Sequence, residues 1–389
     1  MKTTISPVLR TSAAVATAAA VACLACALCL AGCSKDDSAS RGAIAATVGD
    51  ETIYEDDVTA LVESMRAQYG YTDDYTWALV LTLSGLTPED YREYIIDSLS
   101  LEKALPVAAA QKNITVDAAD VDAAVAEMQQ AYGLSDEQWA TALSNSGYTA
   151  ESYREAVEQA MIKEALYTEV TADATVTDEI FEEYGMPYVE AYFPDIKRSS
   201  HILFASDDKE NAEKVLAELE AGTITFEDAV ATYSIDTGSA ENGGDVGWSG
   251  VNTFVDEYQT ALDELAVGEM SGLVESQFGY HIILCTDAFT YSEDMKTADV
   301  PEDVYDLICV YFLNSNIGDI VFDKYITEVR DGMGYVINPM PEGLSYDVDM
   351  AALLASDDEG GESAESSEAS GSTESAESAG SASTEKDAA

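Results

Sequence analysis

The two histidines of this 389-residue chain constrain its fold more than any other feature. His201 lies in the segment 198–205 and His281 in the segment 274–286, and the apolar runs around both are typical of short core strands. Between them lies the glycine-rich loop Ser239-Ala240-Glu241-Asn242-Gly243-Gly244-Asp245. This order predicts two strands that each carry a histidine, with a tight loop between them in sequence.

The segments that connect these landmarks alternate between helix and strand patterns. Apolar residues recur at helical spacing over 212–219 and again over 258–265. Thr225 opens a further helix through a capping-box pattern with Asp228, and residues 246–249 are predicted to form a strand. We therefore predict an α+β fold for this part of the chain.

The histidine-bearing strand, the Ser-Ala-x-x-Gly-Gly-Asp loop and the closing Gly-Tyr-His-Ile-Ile strand together resemble the parvulin family of peptidyl-prolyl isomerases. The resemblance covers about residues 197–287. It implies a small antiparallel sheet with surrounding helices, and isomerisation of X-Pro bonds with no cofactor. It also implies no metal, and two histidines are too few for a zinc ligand set.

The resemblance further implies which residues form the site. The catalytic set is His201, Asp236, Ser276 and His281. In it the paired histidines organise the floor, the carboxylate lies close to the reactive amide, and the serine completes the histidine network. The residues expected to line the proline pocket are Val246, Phe254, Tyr258 and Phe278. The alternative is that the histidines only satisfy buried polar groups.

Three positions depart from the parvulin pattern. Tyr258 replaces the usual Phe, and Asn252 replaces a usual Gly. Ser249 stands where an aromatic residue is common, with neighbouring Trp248 as a candidate replacement. The chain also lacks the basic cluster of parvulins that bind phosphorylated Ser/Thr-Pro, which argues against phosphate-directed recognition.

The N-terminus is typical of a bacterial lipoprotein signal peptide. Lys2 and Arg10 precede an apolar stretch over 13–30, which ends in Leu30-Ala31-Gly32-Cys33. This pattern predicts cleavage before Cys33 and a lipid on its thiol. The alternative is an uncleaved membrane-spanning anchor, since the apolar run is almost long enough. We expect residues 1–32 to be the signal peptide and 33–45 a tether.

Four of the six cysteines lie in this N-terminal segment. Cys23, Cys26, Cys29 and Cys33 have the spacing of an iron–sulfur site, but Leu, Ala and Gly surround them and Ser34 replaces the expected Pro. We interpret the match as accidental, because signal cleavage would remove three of the four. The other two are Cys285 and Cys309, which either form a disulfide or remain buried thiols.

An internal repeat precedes the parvulin-like segment. Met65–Gly70 returns as Met128–Gly133, Trp77 returns as Trp139, and Ser84–Glu93 returns as Ser146–Glu155. Each copy shows helical spacing of apolar residues, with a glycine where a helix would end. The aromatic residues are either core or an exposed cradle for unfolded chains.

Helical character returns after the parvulin-like segment. Pro301 begins an amphipathic pattern predicted to run to about Arg330, and Tyr335–Ile337 is predicted to be a strand. We therefore expect a parvulin domain at 194–289, inserted into a split, mainly helical chaperone domain. The halves of that domain are expected at 46–193 and 290–350, and a disordered acidic Ser/Glu/Ala tail at 351–389. This organisation behind a lipoprotein signal resembles extracytoplasmic foldases of the PrsA and SurA type.

The formal net charge of −56 argues against nucleic acid as a partner. The expected partners are unfolded or exported polypeptides with X-Pro bonds, and the membrane through lipid on Cys33. We favour an extracytoplasmic, lipid-anchored isomerase. The alternatives are a non-catalytic holdase whose parvulin domain only binds peptide, and a structural or adhesive lipoprotein.

Overall fold

The structure is a computed structural model that describes residues 42–358, with side chains up to Ala355. Cys33 and the predicted signal peptide, tether start and most of the acidic tail lie outside this range. The described chain divides into two compact units. The first comprises 104–139 and 150–332, and the second comprises 42–103, 140–149 and 333–358. Within 42–358, no helix is both long and apolar enough to cross a membrane.

Among the described residues, two short strands, eight helices and a π-helical turn precede the parvulin-like segment. The strands are β1 (Ile44–Val48) and β2 (Glu51–Tyr54). The first six helices are α1 (Glu55–Tyr69), α2 (Asp74–Leu83), α3 (Pro88–Gln111), α4 (Ala118–Ala131), α5 (Asp136–Asn145) and α6 (Ala150–Thr171). A helical stretch follows, made of α7 (Asp178–Ile180), a π-helical turn (Phe181–Gly185) and α8 (Met186–Tyr192).

The predicted repeat is present as two similar helix triplets, α1–α3 and α4–α6. In the first, the rings of Trp77 and Tyr91 meet edge to face with centroids 4.9 Å apart. In the second, Trp139 and Tyr153 meet edge to face at 5.4 Å. Because Trp77 and Tyr153 are buried, the packing interpretation holds for both of them.

The helices of the repeat have capped ends, and the glycines at their C-terminal ends follow the prediction. The Thr87 hydroxyl accepts a hydrogen bond from the Asp90 backbone N–H at 3.1 Å, and the Asp90 carboxylate accepts one from the Thr87 N–H at 2.8 Å. This reciprocal pair satisfies two donors at the start of α3. Gly85 and Gly147 follow α2 and α5 with φ of 68° and 78°, where the left-handed conformation favours glycine.

The parvulin-like segment has the predicted α+β order. Its strands are β3 (Asp195–Phe204), β4 (Asp245–Trp248), β5 (Val274–Ser276) and β6 (Gly279–Thr290). Its helices are α9 (Lys209–Glu220), α10 (Phe226–Tyr233) and α11 (Asp256–Glu264), with a 3₁₀ turn at Ala240–Asn242. The strands form one antiparallel sheet in the order β4-β3-β6-β5, so the longest two are central.

The helix predicted from Pro301 to about Arg330 is not continuous. After a 3₁₀ turn (Thr297–Asp299), the chain forms α12 (Glu302–Ile308), a π-helical turn (Cys309–Leu313) and α13 (Ile317–Gly332). The Asn314 N–H donates to the Cys309 carbonyl at 2.8 Å, which is the i→i+5 bond of a π turn. The wider turn and the break after it shift the apolar face.

The last elements are β7 (Tyr335–Ile337) and α14 (Met350–Asp358). Helix α14 corrects the prediction of disorder for residues 351–358, and the rest of the predicted tail lies outside the described residues. Its first turns contain Ala351, Ala352, Leu353 and Leu354, which favour helix, and the helix packs on α2.

The sequence patterns predicted strand β7 but missed β1, β2 and the three-stranded sheet that these strands form. Strand β1 pairs with β2 on one side and with β7 on the other, all antiparallel. Apolar side chains of this sheet, among them Val48 on β1 and Ile53 on β2, join a core that includes Trp77 and Tyr346. Segments from before and after the parvulin-like region therefore build one core.

A buried ion pair lies in the same unit. The Arg92 guanidinium donates to both carboxylate oxygens of Glu55, through Nε to Oε2 at 3.2 Å and through Nη2 to Oε1. Nη2 also donates to the Asn338 carbonyl at 3.1 Å. Both side chains are almost fully buried, and the pair links α1, α3 and the chain after β7.

Candidate functional site

The register of the central strands brings the two histidines together. His201 on β3 is paired with Ile283 on β6, and His281 is paired with Leu203. Residues two apart on a strand share a face, so His201 and His281 are diagonal neighbours on one face of the sheet. Their Nδ1 atoms lie 3.2 Å apart, and both side chains are buried.

Asp236 reaches His201 from the loop after α10. Its Oδ2 lies 2.9 Å from His201 Nε2 and accepts from the Ser239 hydroxyl at 2.6 Å, while its Oδ1 accepts from the Gly238 N–H at 3.1 Å. The carboxylate is thus fixed by the loop itself. The Gly244 carbonyl accepts from the His201 N–H at 2.8 Å, and a Cβ at Gly244 would collide with the His201 carbonyl oxygen. The Gly-Gly-Asp motif is needed for this close backbone approach.

Ser276 lies at the other end of the network, at the end of β5 and next to the turn into β6. Its hydroxyl oxygen is 2.7 Å from His281 Nε2 and accepts from the Phe278 N–H at 3.1 Å. Gly279 completes the turn with φ of 132°, and a Cβ there would strike the Phe204 carbonyl. The structure therefore brings together all four residues predicted as the catalytic set.

The direction of the hydrogen bonds follows from the charge of Asp236. Burial alone would raise the pKa of this carboxyl, but hydrogen bonds from Ser239, His201 and Gly238 lower it on balance. An ionised carboxylate only accepts, so we assign the proton of His201 to Nε2. His201 Nδ1 then accepts from His281 Nδ1–H, and His281 Nε2 accepts from the Ser276 hydroxyl.

His281 is neutral in this network. Burial, together with the neighbouring His201, lowers its pKa to about 4, although Asp236 opposes the shift. A neutral imidazole is what the assigned bonds require, since His281 donates at one nitrogen and accepts at the other. The site is therefore a fixed chain of hydrogen bonds that ends at one ionised carboxylate.

This pKa predicts an acid sensitivity. The unfolded chain protonates His281 near pH 6.5 and the folded chain near pH 4, so between these values the unfolded state binds more protons. The free energy of unfolding should fall by about 3 kcal/mol as the pH drops through this window. Urea unfolding at several pH values measures it.

The matched control is His281→Asn, which keeps an N–H donor near Nδ1 and removes the titration. The difference in unfolding free energy between wild type and this variant cancels the many carboxylates that also titrate. This difference in unfolding free energy should become smaller as the pH falls from 6.5 to 4. A difference that stays constant across this window would contradict the pKa of His281.

Three of the four predicted pocket residues form an apolar wall beside the histidines. Phe254 and Tyr258 have ring centroids 4.8 Å apart, and both join a cluster with Val246, Leu262 and Ile283. The Tyr258 ring lies 5.8 Å from His201 and 5.4 Å from His281, edge on to each. The wall and the network are thus one assembly.

The fourth pocket residue, Phe278, is 59% exposed and stands at the rim. Ile235 is 52% exposed at the position before Asp236, and the sequence patterns did not select it. Large apolar side chains on the rim of a polar site are available to a peptide ligand. The apolar character of position 235 was the available signal.

The departures from the parvulin pattern have structural consequences. Burial raises the pKa of the Tyr258 phenol, and its hydroxyl lies 3.0 Å from the buried Ser199 hydroxyl. The tyrosine therefore adds a hydrogen bond behind the histidines that the usual Phe lacks. Trp248 does not replace the aromatic residue missing at Ser249, because it packs into a different cluster with Ile196 and Phe289. The Ser249 hydroxyl instead accepts a hydrogen bond from the Lys197 backbone N–H.

The residues that the structure describes include no candidate metal-binding cluster. Within 42–358, no group of three or more His, Cys, Asp or Glu side chains is arranged to hold an ion. Cys285 and Cys309 are both buried free thiols, which agrees with the second of the two interpretations.

Comparisons with known proteins match both parts of the chain. A model of the PPIC-type PPIase (rotamase) domain matches residues 201–287, and a model of the SurA-like N-terminal domain matches residues 8–167. The first match confirms the parvulin resemblance and spans His201 to Asp287, within the closing strand. The mixed helix and sheet fold with a small antiparallel sheet is confirmed with it.

Relatives extend the match beyond these domains. The chain is 28% identical over 325 residues to the foldase protein PrsA of Caldanaerobacter subterraneus subsp. tengcongensis, which covers 81% of this chain and 93% of the relative. It is 33% identical over 239 residues to the foldase protein PrsA of Geobacillus kaustophilus, with 59% and 78% covered. The chaperone SurA of Alkalilimnicola ehrlichii is 26% identical over 226 residues, with 54% and 51% covered.

Proposed function

Because this chain belongs to the PrsA foldase family and carries a peptidyl-prolyl isomerase domain, we propose that it isomerises X-Pro bonds in exported polypeptides while a lipid on Cys33 anchors it to the membrane. The observation that carries the catalytic part is the continuous network Asp236–His201–His281–Ser276, set against an apolar wall. The helical regions hold the client, as expected of a foldase.

The reaction requires no bond to break. Amide resonance opposes rotation with a barrier of about 18–20 kcal/mol, and a site accelerates rotation by binding the twisted amide better than either planar form. The proline ring packs against the apolar wall formed by Val246, Phe254 and Tyr258. Away from water, the planar amide loses the hydrogen bonds that favour its charge-separated form.

Asp236 supplies the electrostatic part. The planar amide carries partial negative charge on its carbonyl oxygen, and rotation reduces this charge as resonance is lost. A fixed carboxylate beside that oxygen repels the planar form more than the twisted one, which lowers the barrier. Hydrogen bonds from Ser239, His201 and Gly238 keep Asp236 ionised and oriented, and the histidines transfer no proton.

The first test concerns the foldase and holdase alternatives. Full-length protein should accelerate refolding of a client whose slow phase is proline isomerisation, and it should also suppress aggregation of unfolded clients. Asp236→Ala should lose the acceleration and retain the suppression. If wild type suppresses aggregation but leaves the slow phase unchanged, the non-catalytic holdase is the better account.

The second test concerns the anchor, which the Leu30-Ala31-Gly32-Cys33 pattern motivates. Mass spectrometry of membrane-extracted protein should find Cys33 as the N-terminal residue with acyl chains attached. Cys33→Ser should release the mature protein from the membrane or block cleavage. Recovery of a mature chain that still carries residues 1–32 would contradict the proposal.

A further inference from the structure

A groove adjoins the proline wall on the outer side of β4, which is an edge strand of its sheet. It measures about 550 Å³ and lies within one compact unit. Val246 and Val251 line one side, and Leu307, Val310 and Tyr311 from α12 and the following π turn line the other. We call it the β4 groove.

The π turn explains why the far side of the groove is apolar. Cys309 and Leu313 at its two ends are buried, whereas Val310 and Tyr311 between them are 61% and 70% exposed. A π turn carries one more residue than an α turn, so both side chains reach the surface together. π turns occur frequently at functional sites, and adjacent exposed apolar side chains indicate a contact surface.

The charges around the groove are unbalanced. Arg198 is its one cation, and it is already engaged by Asp245 at 2.6 Å and by Asp303 at 3.4 Å. Asp306 adds a third carboxylate to the lining. The groove therefore combines apolar side chains with net negative charge, which suits a ligand that has both apolar and cationic groups.

Position 252, where the parvulin family usually has Gly, belongs to this groove. The Asn252 side chain donates to the Val246 carbonyl at 3.0 Å and so occupies a hydrogen-bonding group on the open edge of β4. That carbonyl is already engaged, so it is a weaker partner for a client strand. Recognition in the groove therefore falls to its side chains.

The groove is continuous with the proposed active site through Val246. This residue lines the groove and also packs with Phe254 and Tyr258 in the proline wall. An extended peptide advances about 3.3 Å per residue, so residues close to the proline reach the groove.

We propose that the β4 groove is a specificity subsite for a client segment that carries Lys or Arg beside an aromatic residue and flanks the X-Pro bond. The inference rests on the proposed isomerase function. Val310, Tyr311 and Leu307 contact the aromatic side chain, and Asp306 and Asp303 attract the cation. Segments with Asp or Glu at the same positions are repelled.

The test uses the full chain and two X-Pro peptides that are identical except for Lys or Glu residues beside a flanking Tyr. Wild type should isomerise the Lys peptide with the higher kcat/KM. Asp306→Lys should lower kcat/KM for the Lys peptide about fivefold and raise it for the Glu peptide. The contrast should shrink as salt is raised. Tyr311→Ser should lower kcat/KM for both peptides by the same factor.

Glu342→Lys is the matched control, since it makes the same charge change at an exposed loop position in the other unit. Equal effects of the two charge changes would overturn the subsite, because they would reflect net charge alone. Unchanged discrimination in Asp306→Lys would also overturn it.

Peptide binding separates this inference from the function on which it rests. If wild type isomerises neither peptide, the isomerase proposal fails, and fluorescence anisotropy of the labelled peptides still tests the groove. A preference for the Lys peptide that Asp306→Lys abolishes supports the subsite. Equal affinity for the two peptides overturns it.

Discussion

Replacing Asp236 by alanine should lower kcat/KM for X-Pro isomerisation by about tenfold to a hundredfold. The substitution removes the charge that destabilises the planar amide. It also leaves His201 Nε2–H without its acceptor at 2.9 Å, so the tautomers of both histidines are no longer fixed. The cost to folding should be small, about 1–2 kcal/mol, because the carboxylate lies in a loop and is partly exposed.

Two companion variants sharpen this prediction. Asp236→Asn retains an acceptor for His201 and loses the charge. Its activity therefore separates the effect of the negative charge from the effect of the hydrogen bond that orients His201. Glu241→Gln removes a carboxylate from an exposed position of the same loop and should leave kcat/KM unchanged. Full activity of a folded Asp236→Ala protein would show that the carboxylate has no part in the reaction.

Replacing Arg92 by methionine should destabilise its unit by about 3–5 kcal/mol. Glu55 would remain buried with its charge and without the guanidinium that donates to both of its oxygens. The Asn338 carbonyl would lose its donor as well. Trp77 reports on this unit because its indole N–H donates to the Tyr346 carbonyl at 3.1 Å. Urea unfolding of a chain with Trp139→Phe and Trp248→Phe therefore isolates the relevant transition.

The double variant Glu55→Met, Arg92→Met provides the second half of the experiment. Replacing a buried ion pair by apolar side chains is often close to neutral, so much of the lost stability should return. If the double variant is as unstable as the sum of the two single variants, the pair is not coupled as the structure indicates.

The network was predictable because its residues lie in distinctive sequence motifs. A chain with two histidines, each in a distinct motif, leaves little choice of partner, and the Gly-Gly-Asp and Gly-Tyr-His turns have steric causes at Gly244 and Gly279. The amphipathic helices and their caps were predictable for a similar reason. A capping box or a helical stripe is a local pattern, readable within one turn or two.

What the patterns missed depends on long-range contacts. Strands β1 and β2 have five and four residues, too few to show alternation, and the pairing of β1 with the predicted strand β7 spans most of the chain. The hydrogen bond between Ser199 and Tyr258 joins residues that no motif connects. The π turn at Cys309–Leu313 shifts the helical period, so a continuous amphipathic pattern concealed an interruption.

Proton NMR exchange spectroscopy on an Ala-Pro peptide tests the central claim most directly. The measurement compares cis/trans exchange with and without full-length protein, and with Asp236→Ala at the same concentration. The account predicts acceleration by wild type, loss of most of it in the variant, and no dependence on phosphorylation of the residue before proline. Exchange at the uncatalysed rate with folded wild-type protein, over a panel of residues before proline, would contradict it.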